Sequence, residues 1–233
     1  MAKDYGVPVY TLDLRNHGVS PHASSMSYMD MAKDLAQFFE EHKLSKHTLV
    51  GHSLGGKAVM ALALSDLLPD NTLSHVVVVD IAPAEGSISP EFMHYTRTML
   101  EIEKANLESR NEADKFLAKV EPNLGIRQFL LTNLTRTNDG LRFRNPLETL
   151  LNALDGIGQF PYEPQNDGQP AEKHWNGPTL FIKGKNSNYI TQENLAICRS
   201  FFPNMTLKEL STGHWVQSEA PREFLRTVRE FLE

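Results

Sequence analysis

A serine flanked by glycines is the feature of this sequence that most directly suggests chemistry. Ser53 lies in Gly51-His52-Ser53-Leu54-Gly55, a G-x-S-x-G pattern. In this pattern, small residues two places either side of the serine let a tight turn from strand to helix hold the hydroxyl outward. Apolar residues precede the pattern, and residues 57–62 after it are strong helix formers. The pattern therefore predicts a nucleophilic serine.

A serine hydroxyl is a poor nucleophile until a base removes its proton, so the sequence must also supply a base. Among nine histidines, His214 follows Ser211-Thr212-Gly213 after the last predicted strand and precedes the terminal helix. Proteins with this type of serine turn carry their base at that place in the chain. We therefore expect His214 to be the base. His52, His17 and Trp215 are predicted to line the site without taking part in its chemistry.

The third member of such a site is a carboxylate that orients the imidazole. In proteins with this type of serine turn, the acid usually lies just after the strand that corresponds to residues 179–183. The loop after this strand, residues 184–188, contains no carboxylate. Asp80 instead ends the strand that comes after Ser53, at the edge of a parallel sheet where functional groups gather. We predict Asp80 as the acid. The alternative is that Asp80 only caps the turn that follows it.

The serine segment also contains Gly51-x-x-x-x-Gly56-Lys57, which resembles a phosphate-binding loop. In such a loop the next residue is a Ser or Thr that holds magnesium, whereas here it is Ala58. Asp80 is also only a weak candidate for the metal-holding carboxylate of that mechanism. Nucleotide hydrolysis is therefore disfavoured, and the predicted chemistry requires neither a metal nor a cofactor.

The elements that must position these residues alternate between strands and helices. Strands are predicted at residues 9–14, 48–50, 76–79, 179–183 and 206–210. The helix after the first strand has Met31, Leu35, Phe38 and Phe39 on one face, and the terminal helix has an apolar face that carries Phe224 and Val228. This alternation favours an α/β fold with a mostly parallel, doubly wound sheet.

One long segment lacks this alternation. Residues 84–172 are predicted to form helices broken at Pro122-Asn123, at Asn145-Pro146 and in the polar run 161–170. We interpret this segment as a helical cap inserted into a core made of residues 1–83 and 173–233.

Composition excludes several classes of protein. The chain of 233 residues is 40% hydrophobic and 22% charged, which is typical of a soluble globular protein. A net charge of -6 leaves no basic face for nucleic acid, and apolar stretches such as residues 76–79 are too short for a membrane span. The single cysteine, Cys198, excludes an internal disulfide and suits a reducing compartment. The N-terminal residues resemble no targeting segment, so the sequence by itself favours the cytoplasm.

Five strings together resemble the α/β-hydrolase superfamily, and within it the group of YbfF-like bacterial esterases, mitochondrial abhydrolases and fungal ethanol acetyltransferases. The strings are DLRNHG at 13–18, GHSLGGK at 51–57, VDIAP at 79–83, RQFLLTNL at 127–134 and GHWV at 213–216. In such relatives the acid follows the strand after the serine, which supports Asp80. The resemblance implies esterase or thioesterase activity on a small acyl ester or thioester, with transfer of the acyl group to an alcohol in the fungal branch. It also implies a mitochondrial location.

The sequence departs from this family at its beginning. Relatives have strands before Val9, and one of these is followed by a His-Gly segment whose backbone N–H forms half of the oxyanion hole. Since no such segment occurs here, the N–H of Leu54 is the donor that can be identified. Losing one donor costs roughly 100- to 1,000-fold in rate. We therefore expect a truncated chain that lacks the N-terminal strands and has impaired activity. A non-catalytic α/β-hydrolase-like binding protein stays open as an alternative.

Overall fold

The computed structural model describes residues 2, 6–86, 88, 90–138, 140–165 and 169–233. Part of the N-terminal segment and residues 166–168 of the predicted polar run therefore lie outside the described residues. The chain forms two compact units. The sheet unit comprises Met1–Thr11, Tyr28–Glu85 and Gln159–Glu233, and the helical unit comprises Leu12–Ser27 and Gly86–Gly158.

The described helices and strands alternate along much of the chain. In chain order they are α1 (Tyr28–Glu41), β1 (His47–His52), α2 (Leu54–Ala63), β2 (Leu73–Val79), α3 (Pro90–Lys104), α4 (Arg110–Leu117), α5 (Leu124–Leu131), β3 (Leu134–Thr137), β4 (Gly140–Phe143), α6 (Leu147–Gly158), β5 (Thr179–Gly184), α7 (Gln192–Phe201), β6 (Met205–Leu210), α8 (Val216–Glu219) and α9 (Pro221–Leu232).

Four parallel strands form the centre of the sheet unit, in the order β1-β2-β5-β6. The β-branched run at residues 76–79 of β2 is buried completely, because β1 and β5 flank it and helices cover both faces. Helix α9 packs Phe224 and Val228 against side chains of β2 and β5. The structure thus confirms the predicted α/β fold with its parallel sheet, and it contains strands at four of the five predicted places.

The fifth predicted strand, at residues 9–14, is wrong. This segment is irregular, and the side chains of Val9, Tyr10 and Leu12 are exposed. A strand forms only where a neighbouring strand accepts its backbone hydrogen bonds, and no described segment pairs with this one. The end of the segment is instead closed into a turn, because Val19 N–H and the Ser20 hydroxyl donate to Asp13.

The helical unit has an apolar core of its own, to which helices α3 to α6 and the antiparallel hairpin β3–β4 contribute. Its chain segments differ from the predicted insertion at 84–172. Residues 12–27 belong to it, since Asn145 Nδ2–H donates to the Asn16 carbonyl. The sequence after Gly158 belongs to the sheet unit, where Ala171 N–H donates to the Ser200 carbonyl. Within the part of the chain that the structure describes, no helix is long and apolar enough to cross a bilayer.

Candidate active site

Ser53 occupies the sharp turn between strand β1 and helix α2. Its φ of 52° and ψ of -118° are unusual for a residue with a side chain. The Ser53 N–H donates to the Val79 carbonyl at 3.0 Å, and the Ser53 carbonyl accepts from Lys57 N–H at 3.1 Å, which begins the helix. Backbone strain of this kind is concentrated at functional sites, where the surrounding structure holds it in place.

Two glycines make this turn sterically possible. A Cβ atom at Gly51 would lie 2.3 Å from the Gly55 carbonyl oxygen, and one at Gly56 would lie 2.5 Å from Ile81 Cγ2. A Cβ at Gly55 would meet nothing within 4 Å. The close packing of the turn against its neighbours therefore requires glycine at positions 51 and 56, whereas the G-x-S-x-G pattern has its glycines at positions 51 and 55.

Ser53, His214 and Asp80 are joined by hydrogen bonds although they are far apart in the chain. His214 Nδ1 lies 2.8 Å from Asp80 Oδ2, and His214 Nε2 lies 3.0 Å from Ser53 Oγ. A carboxylate only accepts, so Nδ1 carries the proton and donates it to Asp80. Nε2 is then free to accept the hydrogen bond from the Ser53 hydroxyl. This arrangement is suited to removing the serine proton.

Asp80 lies directly after β2 and is fully buried. Its backbone φ of 50° is positive, as at Ser53. While Oδ2 accepts from His214, Oδ1 accepts from the Gly184 N–H at 2.9 Å. The carboxylate thus holds Gly184, the last residue of β5, at the start of the segment 184–188 in which the sequence contains no acid.

His52, the last residue of β1, supports the loop that carries His214. Its Nε2–H donates to the His214 carbonyl at 2.8 Å, and the two ring centroids are 4.6 Å apart. Burial lowers the pKa of His52, and the hydrogen bond to the His214 carbonyl partly opposes that shift. His52 therefore contributes a neutral ring and a fixed hydrogen bond next to the candidate base.

Two exposed aromatic residues lie against the His214 ring. The Tyr189 ring is centred 4.2 Å from it and the Trp215 ring 5.6 Å from it. These residues are 40% and 50% exposed, whereas the His214 side chain is 20% exposed. Trp215 is one of the residues predicted to line the site, whereas Tyr189 is not. The available signal was its place in the loop after β5, at the sheet edge where ligands bind in open α/β folds.

The structure places the remaining predicted site residues as follows. Leu54 is the first residue of α2, and the first N–H groups of a helix have no acceptor within that helix. Its role as oxyanion donor stays a prediction. His17 belongs to the helical unit, where its Nδ1–H donates to the Arg15 carbonyl at 3.0 Å. Its role in lining the site also stays a prediction.

Lys57, which suggested the phosphate-binding loop, is only 4% exposed. Its ammonium donates to the Gln159 carbonyl at 2.9 Å and lies 5.6 Å from the centre of the Tyr28 ring. Burial lowers the pKa of Lys57 to about 8, while the nearby Glu85 opposes the shift. The ammonium thus binds groups of the sheet unit itself, which argues further against a phosphate site.

Comparisons with known proteins find relatives that match nearly all of this chain. The chain is 38% identical over 237 residues to the mouse sn-1-specific diacylglycerol lipase ABHD11, a match that covers 100% of this chain and 74% of that protein. It is 33% identical to a probable alcohol acetyltransferase of Saccharomyces cerevisiae, over 99% of this chain and 70% of that protein. The solved structure of a marine microorganism esterase superposes with a TM-score of 0.79 and 29% identity, over 94% of this chain and 82% of that one.

The strand, sharp serine turn and helix described above are features of one large family. The family model described as the alpha/beta hydrolase fold matches residues 1–221 of this sequence. The match covers nearly the whole chain, and the relatives named above match over almost all of its length. The chain therefore belongs to the α/β hydrolase fold family.

Proposed function

We propose that this chain is a serine hydrolase that cleaves carboxylic esters or thioesters through Ser53, His214 and Asp80. The observation that carries the proposal is the continuous hydrogen-bond path from the Ser53 hydroxyl through the imidazole to the buried carboxylate. The esterase and lipase names of similar proteins support the same reaction class.

In this mechanism the Ser53 oxygen attacks the carbonyl carbon of the substrate while His214 Nε2 takes the hydroxyl proton. The oxygen of the tetrahedral intermediate carries negative charge, which the N–H of Leu54 and the N-terminus of α2 stabilise. His214 then gives its proton to the leaving alcohol or thiol, and the acyl group stays on Ser53. Water then attacks the acyl carbon while the imidazole takes its proton, and the proton passes to the Ser53 oxygen as the bond to the acyl group breaks and the acid leaves. Asp80 stabilises the imidazolium that forms in both halves of the reaction.

The surroundings of His214 favour a substrate with an apolar group next to the scissile bond. Tyr189 and Trp215 present exposed aromatic surface beside the imidazole. Such surface binds alkyl or aromatic groups by removing apolar area from water. We therefore propose a neutral acyl ester as the substrate class, in agreement with the lipase name of the mouse relative.

Acyl transfer to an alcohol is the second candidate, because the similar yeast protein is named a probable alcohol acetyltransferase. The two reactions share the acyl-serine intermediate and differ only in whether water or an alcohol accepts the acyl group. Adding ethanol to the assay and measuring the ratio of ethyl ester to free acid distinguishes them.

The mitochondrial location implied by the family resemblance stays a prediction, which microscopy of the tagged full-length protein tests.

The hydrolase proposal is tested by turnover of p-nitrophenyl acetate and by covalent labelling with a fluorophosphonate probe. We expect both in the wild type and neither in Ser53→Ala, with circular dichroism verifying that the variant is folded. Ser211→Ala is the matched control, because it removes an exposed hydroxyl from the loop that carries His214. A folded wild-type protein that neither turns over the ester nor takes up the probe would support the non-catalytic binding protein instead.

A further inference from the structure

One carboxylate holds both backbone neighbours of His214. Glu219 lies at the end of the short helix α8, and its side chain turns back toward the preceding loop. Oε2 accepts from the Gly213 N–H at 2.7 Å, and Oε1 accepts from the Trp215 N–H at 3.2 Å. The Glu219 N–H in turn donates to the Trp215 carbonyl at 2.9 Å. The residues before and after the candidate base are thus fixed by the same side chain.

This contact uses both oxygens of the carboxylate. The N–H groups of Gly213 and Trp215 each donate to a different oxygen of Glu219. In an amide of the same geometry, an NH₂ group would face one of these two donors. The contact is also sterically tight, since a Cβ atom at Gly213 would lie 3.2 Å from Glu219 Oε1. A glycine therefore lets the carboxylate approach the loop from this side.

The position of this loop determines whether His214 can work. The imidazole must meet Asp80 at one nitrogen and Ser53 at the other, at 2.8 Å and 3.0 Å. Reacting groups have to be held within about 0.5 Å of their working geometry, and a misplacement of about 1 Å can cost on the order of 100-fold in rate. Among the other contacts of this stretch, His52 binds the His214 carbonyl, and the Thr212 backbone bonds with Leu210 and Asn186.

We propose that Glu219 is a positioning residue for the reaction: by holding the N–H groups of Gly213 and Trp215, it fixes the imidazole of His214 between Ser53 and Asp80. It acts through the backbone of the loop. The inference rests on the proposed function, in which His214 is the base.

The kinetic test compares Glu219→Ala and Glu219→Gln with Glu223→Ala. Glu223→Ala is the matched control, because this substitution also removes one carboxylate, from the first turn of the next helix, α9. We expect kcat for p-nitrophenyl acetate to fall about 10- to 100-fold in both Glu219 variants, with KM changed less than about threefold. Glutamine does not rescue the rate, because its NH₂ group faces one of the two N–H donors. Glu223→Ala keeps kcat within about twofold of the wild type.

A second measurement reports on the loop without requiring activity. In folded Glu219→Ala, we expect faster hydrogen exchange at the amides of Gly213 and Trp215, and a weaker low-field NMR signal from the His214 Nδ1 proton. The melting temperature should stay within a few degrees of the wild type, because the contact lies at the surface.

The outcomes separate this inference from the proposed function. Unchanged kcat in Glu219→Ala, unchanged exchange at Gly213 and Trp215, or an equal loss of kcat in Glu223→Ala overturns the positioning role. If the wild type shows no turnover that depends on Ser53, the proposed function fails, and the positioning role fails with it. Faster exchange together with the selective loss of kcat in an active protein supports both.

Discussion

The three proposed catalytic residues of the sheet unit and the arginines of the helical unit make different kinds of hydrogen bond. In the sheet unit, Ser53, His214 and Asp80 bind one another's side chains across 134 and 161 residues of sequence. In the helical unit, the arginines donate mainly to backbone carbonyls of the same unit. Arg110 donates to the carbonyls of Leu131 and Leu134, and other arginines behave in the same way.

The difference separates groups that are available for chemistry from groups that hold a fold. A guanidinium that binds backbone carbonyls satisfies buried acceptors and is not free to bind a substrate. An imidazole placed between a hydroxyl and a carboxylate can take and return a proton. The type of partner is thus more informative about role than the type of residue, since charged residues occur in both units.

Asp80→Asn tests the sheet unit at its most sensitive point, and we expect kcat for p-nitrophenyl acetate to fall by about 10⁴-fold. The amide no longer accepts reliably from His214 Nδ1–H and favours the wrong tautomer. Asparagine tolerates the positive φ of 50° at this position, so the fold is retained. The control in the helical unit is Asp114→Asn, which changes a carboxylate paired with Arg127 and should alter kcat less than about threefold. Retention of a tenth of the activity by Asp80→Asn would contradict the proposed role.

Gly184→Ala tests how tightly the His214 loop packs on the end of β5. A Cβ atom at Gly184 would lie 2.0 Å from the Gly213 carbonyl oxygen, so the loop must move. We expect a loss of roughly 100-fold in kcat. Gly156→Ala, within helix α6 of the helical unit, is the control, because a Cβ there meets nothing within 4 Å. Steady-state kinetics of both variants would show whether the loss is specific to the sheet unit.

Arg127→Ala tests the opposite expectation for the helical unit, in which stability rather than chemistry is lost. The guanidinium is 12% exposed, binds the Asp114 carboxylate at 2.8 Å and donates to the carbonyls of Glu121 and Pro122. We expect the unit to lose about 1 to 3 kcal/mol, because the carbonyl of the buried Glu121 loses a donor and the partly buried Asp114 carboxylate loses its ion pair. Faster hydrogen exchange across residues 110–134 would report this loss. Arg226→Ala, which breaks an exposed ion pair with Glu230 on α9, should have almost no effect.

Lys57 extends the comparison to pH dependence, because this sheet-unit residue also donates to a backbone carbonyl, as the arginines of the helical unit do. Burial lowers its pKa from 10.5 to about 8. Between these two values the unfolded chain binds more protons than the folded one, so the free energy of unfolding should rise with pH. The rise is at most about 1.4 kcal/mol per pH unit.

The measurement is the difference in urea stability between the wild type and Lys57→Met from pH 7.5 to pH 10.5. Burial raises the pKa of Cys198 from 9.0 to about 12, and this thiol lowers stability as the pH rises above 9 in both proteins. The effect of Cys198 therefore cancels in the difference. An identical pH dependence in the two proteins would show that Lys57 is not the group responsible.

Sequence by itself determined the local features of this protein. The β-branched run at 76–79 predicts a strand buried on both faces, and the apolar periodicity of residues such as Phe224 and Val228 predicts the terminal helix, because these patterns repeat with the period of the element. The three proposed catalytic residues were also chosen from sequence, since each follows a strand or enters a helix at a place defined by nearby residues. These signals depend on neighbours in the chain.

Tertiary structure alone decided which distant groups meet. The strand predicted at 9–14 does not form, because pairing requires a partner edge that local sequence does not encode. Tyr189 lies against the His214 ring because the loop after β5 ends beside the loop after β6. Such contacts depend on sheet order and on the path of each loop, and the local sequence pattern specifies neither.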